Sequence, residues 1–488
     1  MSATRATILL SLLGLTSAFS LPQVPLKPHH RPADLPHSMP SHSFWTHSPG
    51  ANPLAGEGST GLLTSEADVC IIGSGITGVS TAYHLARAVE QGSVDKGLRA
   101  VVLEARDFCS GATGRNGGNL TPYEVAHFRD VESRFGAEEA LRQYALEHHT
   151  SAAMARVARE GGWADAVDFV EGGHVDVYMT EKHLAQVRAD SAAAVKAGRK
   201  VNVTWMGREE MNATYGTYHW GAQTPGYNLW PLKFVTQLFK EAKAMSPDLG
   251  LRLHTRTPVL SVSQSRSTSR RWELSTPRGS VGCSYVVYAT NAYTSHLLPH
   301  MAGTGPQGIM PVRGQVIATR AAVSLEDLTK VSWIGNSGYW FPRPATDENP
   351  LVILGGARED AGPPFEVDTT DDSVVNHVVG ETLRAFLPEM FPSKYQVGRE
   401  PEAEWTGIMG YTALDIPFVG PVLDQHGSGQ SHSGQFISAG YAGHGMPRAY
   451  GCAQVVVDML VSELQGEKFE VEMLPEWFPR SFLTANRF

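Results

Sequence analysis

Only four of the 488 residues are cysteine, at positions 70, 109, 283 and 452. Their spacing forms no disulfide framework and no zinc-ligand pattern. Cys70 and Cys283 fall in apolar strand-like runs and are expected as core residues. Cys109 falls in a glycine-rich loop and Cys452 in a late helix, so cysteine usage leaves the redox compartment open. Basic runs and basic-aromatic interleaving are missing and the net charge is −9, so no nucleic-acid partner is expected. There is no internal repeat, no hydrolase nucleophile elbow and no cluster of metal ligands, and hence no expected metal. The apolar stretch 6–16 is too short to span a bilayer. Arg5 precedes it and Ala18-Phe19-Ser20 follows, so residues 1–20 read as a cleaved secretory signal. The mature chain is therefore expected to be secreted, with no stable membrane span. Sequons at Asn202 and Asn212 agree with a glycoprotein; Asn119 also matches, but Pro122 directly after its triplet disfavours modification.

What is present is 42% hydrophobic and 18% charged residues, an ordinary globular composition with length for two or three domains. The run ADVCIIGSGITGVSTAYHLAR, 67–87, carries G-x-G-x-x-G as Gly73, Gly75 and Gly78. An apolar strand leads into it and a helical repeat leaves it, the context of a dinucleotide site. Gly73 permits the turn, Gly75 admits the pyrophosphate and Gly78 lets helix and strand close up; Ile76 and Thr77 open the helix toward the phosphates. A second strand, 99–103, ends in Glu104, placed to bond a ribose hydroxyl. NAD and FAD share this fingerprint.

The loop EARDFCSGATGRNGGNLTP, 104–122, goes beyond the needs of a nicotinamide site. It resembles the flavin-contacting segment of the D-amino-acid-oxidase-like (DAO) family of FAD-dependent oxidoreductases, which includes sarcosine, glycine and fructosyl-amine oxidases. PVRGQV (311–316), GYWFPRP (338–344), VILGGAR (352–358), WTGIMGYT (405–412) and AGYAGHGMPRA (439–449) continue the likeness in order, over residues 66–466.

The resemblance implies FAD as cofactor, with Glu104, Ala105, Arg106, Ser110, Thr113, Gly114, Arg115, Asn116, Gly117, Gly118, Asn119 and Val259 along it. Arg106 would lie near the adenine; Arg115 would pair with phosphate or form a surface ion pair. Gly440, Tyr441, Gly443, His444, Gly445 and Met446 would meet the isoalloxazine at the start of a helix whose dipole stabilises the reduced ring by about 0.3–2 kcal/mol. His444 would tune the flavin, steer the substrate amine or serve as a structural donor. Arg313 and Arg343 would hold a substrate carboxylate. Tyr339 and Trp340 would form an aromatic wall over the flavin, or simply pack their strand. Sarcosine-oxidase-type members attach FAD through a cysteine near the place of Gly407 and Ile408, and carry lysines at the places of Ile353 and Pro447. None of these side chains is present, so the resemblance points away from sarcosine.

The implied fold is a Rossmann-type α/β FAD-binding domain (62–125, 226–300 and 401–470) interleaved with an antiparallel-sheet substrate domain (126–225 and 301–400). Ahead lies an arm, 21–61, rich in Pro, His and Ser and expected to be loosely ordered except where Phe44 and Trp45 dock; behind lies a tail, 471–488. Periodicity adds helices at 133–166, 181–197 and 230–245, and strands at 174–180, 251–262 and 281–291. The implied reaction is oxidation of the C–N bond of a small amine or amino-acid-like molecule: the neutral amine donates a hydride to the flavin, water hydrolyses the imine, and O2 or another acceptor takes the electrons. Two alternatives remain at this point: a flavin dehydrogenase acting on C–O or C–C bonds of a secondary-metabolite-type substrate, and a non-catalytic flavin-binding module.

Overall fold

A computed structural model describes residues 31–266, 269–336, 338–344 and 348–487. The expected signal at 1–20 lies outside the described residues. The apolar run Glu66–Ile72 forms the central strand of the first sheet. The sheet runs Phe418–Pro421, Gln435–Ala439, Gly279–Tyr288, Glu66–Ile72, Ala100–Leu103, Arg252–His254, with Trp272–Thr276 and Ser261–Gln264 added as an antiparallel extension. The five strands from Gln435–Ala439 to Arg252–His254 are parallel. Parallel strands are covered on both faces, which explains why the central run is apolar throughout rather than alternating. On one face Val69, Ile71 and Val102 meet the helices Ile76–Glu90, Pro231–Met245 and Met446–Leu464. On the other, Ala67, Cys70 and Ile72 meet Leu274 and Val281.

The second sheet runs Ala403–Thr412, Ile309–Arg320, Leu351–Gly356, Gly338–Pro342, Ser332–Gly335, His174–Tyr178, Trp220–Thr224, Thr204–Met206. Every neighbouring pair is antiparallel except Ser332–Gly335 with His174–Tyr178. One face, with Val175, Val177, Trp333 and Trp340, buries against the helix His377–Met390. The expected α/β fold with an antiparallel second sheet is thus the fold observed. The segment Ala403–Thr412, expected in the dinucleotide domain, instead pairs along Ile309–Arg320 at the edge of the second sheet. The strand expected at 251–262 is two short strands, because Arg256 at φ +50 and Pro258 break it.

Both ends of the described chain are packed against the globule, and one cysteine expectation is corrected. Within the described part of the arm Trp45 docks as expected: it is wholly buried and its Nε1–H donates to the Asn116 carbonyl at 2.6 Å, while Ser43 Oγ–H donates to the Gly114 carbonyl at 2.7 Å. At the other terminus Phe478 and Phe482 are buried, and the Arg487 guanidinium sits 4.2 Å above the Phe418 ring, so the C-terminal tail packs on the first sheet's side of the molecule. Cys70 and Cys283, expected as core residues, are joined by a disulfide across neighbouring parallel strands, with Cα atoms 5.9 Å apart and a sequence separation of 213. No sequence spacing carries that signal, since the pairing arises from strand order. Cys109 and Cys452 are buried and free. Alkylation of the unfolded, unreduced protein should therefore modify two cysteines, and alkylation after reduction four; four adducts without reductant would contradict the bond, with intact mass as the readout.

Candidate active site

The glycine turn is built by the end of one strand and the start of a helix. Gly73 has φ +108, a conformation that L side chains rarely adopt, and a Cβ there would stand 2.7 Å from the Ala289 carbonyl oxygen. The helix Ile76–Glu90 begins at Gly75, which offers no side-chain cap. Thr113 Oγ1 accepts from the Ile76 N–H at 3.0 Å, and the other first-turn N–H groups are left toward the cavity for an anion. A second helix, Met446–Leu464, also begins at a glycine, Gly445, without a side-chain cap; Pro447 in its first turn has no N–H and Arg448 N–H donates to the Gly445 carbonyl at 3.1 Å. Ile76 and Thr77 from one helix and Met446 and Pro447 from the other line the same cavity.

At the turn end, Glu104 braces the glycine loop. Its Oε2 accepts from Ser74 N–H at 3.0 Å and Ser74 Oγ–H at 2.7 Å, and its Oε1 accepts from Arg106 N–H at 2.9 Å. A carboxylate offers about four acceptor positions, so about one remains for a ribose hydroxyl. Arg106 donates from Nη1 to both Asp372 oxygens at 2.9 Å and from Nη2 to the Ser110 carbonyl at 2.9 Å. Arg115, 2% exposed, donates to the Thr406 carbonyl, to Ser41 Oγ at 2.7 Å, and lies 3.5 Å from Asp372. It is therefore a buried tie between segments and not a surface ion pair. Burial brings its pKa down to about 10, with Asp372 opposing and Arg106 adding to the fall.

At the other end, His444 precedes the second helix. Its Nε2 lies 3.1 Å from Glu147 Oε2, its ring stacks on Tyr123 at 4.2 Å, and Arg448 Nε donates to Glu147 Oε1 at 2.8 Å. Burial raises the Glu147 carboxyl, but His444 and Arg448 more than offset it and leave it at about 2. Burial pushes His444 below its ordinary value against the pull of Glu147. Tyr339 reaches the cavity from the second sheet and lies against the flavin loop; a Cβ on Gly117 would be 2.2 Å from its Cε2, so glycine is required there.

Of the residues expected to contact the cofactor, the cavity is lined by Gly73, Gly75, Ile76, Thr77, Glu104, Ala105, Arg106, Thr113, Arg115, Asn116, Gly117, Gly118, Asn119, Val259, Tyr441, Gly443, His444, Gly445 and Met446. Four others shape it from behind. A Cβ on Gly78 would stand 1.9 Å from the Gly73 carbonyl oxygen, one on Gly114 would stand 2.2 Å from that of Cys109, Ser110 receives Arg106, and Gly440 at φ +85 donates its N–H to Asn291 Oδ1 at 2.9 Å.

Three expected substrate residues lie elsewhere. Trp340 adjoins Tyr339 on a strand, so it faces the opposite side of the sheet, where it stacks on Trp333 with centroids 5.6 Å apart. The Arg313 side chain is paired with Glu366 and donates to the Asp371 carbonyl at 2.9 Å; its neighbour Gly314 is the one that lines the cavity. Arg343 is paired with Asp168 and lies over the rings of Trp45 at 5.0 Å and Trp230 at 5.3 Å, in a packed aromatic box. Leu35, Pro36, Tyr123, His174, Asp176 and Asn291 line the cavity without having been singled out from the sequence. One signal was available: His174, Asp176 and Tyr178 alternate with Val175 and Val177, a polar face on an otherwise buried strand.

An elongated dinucleotide fits these residues. Both helix ends lack side-chain caps, and Arg115 Nη1 and Asn119 Oδ1 are buried on the same loop with no hydrogen-bond partner. Gly75→Val should abolish retention of the cofactor, since a Cβ there already comes within 3.1 Å of Thr113 Oγ1 and the branched methyls enter the pyrophosphate's approach. A folded variant that purifies with normal flavin content would contradict this placement.

The family model for FAD-dependent oxidoreductases (DAO) matches residues 68–459. A probable oxidoreductase OrdL of Rhizobium meliloti is 24% identical over 430 residues, 87% of this chain and 89% of that one. The gamma-glutamylputrescine oxidoreductase of Escherichia coli is 26% identical over 417 residues, 83% of this chain and 85% of that one. The crystal structure of glycine oxidase from Geobacillus kaustophilus superposes with a TM-score of 0.62 at 18% identity, covering 85% of this chain and 99% of the other. With the glycine turn, the second glycine-started helix and the two-sheet architecture, these matches show that the chain belongs to the DAO family of FAD-dependent oxidoreductases.

Proposed function

We propose that this enzyme oxidises the C–N bond of an amine or amino-acid-like small molecule, with O2 as the electron acceptor. The observation that carries the reading is the cavity that begins at the Gly73–Thr77 turn, ends at the His444 loop and is roofed by one face of the second sheet. When bound between the Gly73–Thr77 turn and the His444 loop, FAD would supply the hydride acceptor, with O2 taking the electrons on to hydrogen peroxide. The rest is done by the chain itself. The N-terminus of Met446–Leu464 directs partial positive charge to one end of the cavity. Val316, Ile334, Tyr339 and Met409 form a mostly apolar roof that limits water beside the reacting carbon. His444, held neutral near pH 7 by burial and oriented by Glu147, places no cation beside an amine that must itself be neutral to release a hydride. The name of the Escherichia coli relative identifies an amine substrate for that protein, which supports the reading. Holoenzyme mixed anaerobically with a panel of amines should lose its oxidised-flavin absorbance with at least one of them and form peroxide when air returns. Bleaching by alcohols alone would overturn the proposal.

We further infer that the protein is a secreted glycoprotein. The Cys70–Cys283 disulfide suits an oxidising compartment, and Asn202 and Asn212 are both exposed. Protein recovered from the culture medium of an expressing eukaryotic host should begin after residue 20 and lose mass with an N-glycosidase; retention of residues 1–20 on a wholly intracellular product would contradict this.

A further inference from the structure

The second sheet presents two acceptors to the cavity with no donor between them. His174 and Asp176 stand two residues apart on the strand His174–Tyr178, and both line the cavity. Ile334 and Ala222 flank Asp176 on the neighbouring strands, and neither has a polar side chain. Asp176 Oδ2 lies 4.0 Å from His174 Nε2, too far for a hydrogen bond, and no hydrogen-bond donor among the described residues reaches the carboxyl. The tautomer of His174 sharpens the arrangement. Its Nδ1 is 2.8 Å from Ser332 Oγ, and that hydroxyl donates to the Gly173 carbonyl at 3.2 Å. With that hydroxyl turned to the Gly173 carbonyl, its oxygen accepts from Nδ1–H, and in this tautomer the ring's lone pair is on Nε2, the nitrogen nearer Asp176. Burial drives His174 down to about 3, so its ring brings no second proton. Burial also raises Asp176 to about 7, the mark of a carboxyl without compensation.

The other charges around the cavity are already committed. Glu104 braces the glycine turn, and Glu124 accepts from Arg199 Nη2 at 2.8 Å and Asn202 N–H at 2.8 Å. Arg106 and Arg115 both lie against Asp372 at the turn end. A substrate carboxylate thus meets no cation near Asp176, whereas a cation meets two open acceptors.

We propose that Asp176, together with His174 Nε2, binds a non-reacting ammonium group of the substrate, so that the enzyme selects amines bearing a second positive charge over α-amino acids. A primary ammonium has three N–H donors, enough to span both acceptors. The bound nitrogen is not the one oxidised, because a carboxylate beside the reacting amine holds it protonated and opposes hydride release. This assignment rests on the amine-oxidation reading.

The test uses straight-chain amines of matched length ending in a methyl, an ammonium or a carboxylate group. Binding is followed by the shift of the holoenzyme's flavin spectrum and turnover by anaerobic bleaching. The ammonium-ended amine should bind roughly tenfold to a hundredfold more tightly than the methyl-ended one, as for a charge-assisted hydrogen bond, and the carboxylate-ended amine most weakly. Asp176→Asn, checked for flavin content and thermal unfolding, should remove that preference. Equal binding of the three amines by the wild type overturns the proposal even if the variant does not fold, and so does an intact preference in a folded Asp176→Asn. If no amine bleaches the flavin, amine oxidation fails, yet the ammonium-dependent spectral shift and its loss in the variant still decide whether Asp176 is the anchor.

Discussion

Two helices begin at glycines that bring no side-chain cap of their own, and both starts line one cavity. Everything else in the arrangement serves that convergence. The helices Ile76–Glu90 and Met446–Leu464 lie far apart in the chain, yet both pack on the same face of the first sheet. A capping Ser or Asp at Gly75 or Gly445 would satisfy first-turn amides internally and leave nothing for an anion or an electron-rich ring. The parallel strand order is what sets the two helix ends side by side.

The loop between them is held by buried charge. Asp372, wholly buried, faces Arg106 and Arg115, while Ser41 of the N-terminal arm takes a hydrogen bond from Arg115. Three stretches remote in sequence thereby depend on one another: the arm, the flavin loop and the segment after the cis Pro363-Pro364 bond. Removing one member leaves an uncompensated buried charge, a loss of about 3–5 kcal/mol in comparable buried pairs. Arg343 belongs to a similar knot with Asp168, Trp45 and Trp230. The arginines that attract attention as carboxylate holders, Arg313 and Arg343, are thus occupied in joining segments.

Much of the site was legible because its signals are local. The glycine turn, Glu104 and the loop through Asn119 are short motifs whose geometry is set within a few residues, and the periodicity of 230–245 announces a helix without any partner. Errors arose where the side of an element mattered. A dipeptide such as Tyr339-Trp340 cannot place both rings over one ligand, because successive residues of a strand face opposite ways. Arg313 was read from its neighbours' likeness, and the structure gives the cavity face to Gly314 instead.

The amino-acid sequence determined the dinucleotide turn, since glycine geometry and hydrophobic period act over short stretches of chain; the family and the second sheet came from the resemblance of motifs recurring in order along the chain. Tertiary structure alone decided that Cys70 meets Cys283, that Asp372 ties Arg106 to Arg115, and that Asp176 and His174 line the cavity. Those outcomes depend on which strands become neighbours and which sheet face is covered. Such pairings are set by the burial of the whole molecule, and no local run of residues encodes them.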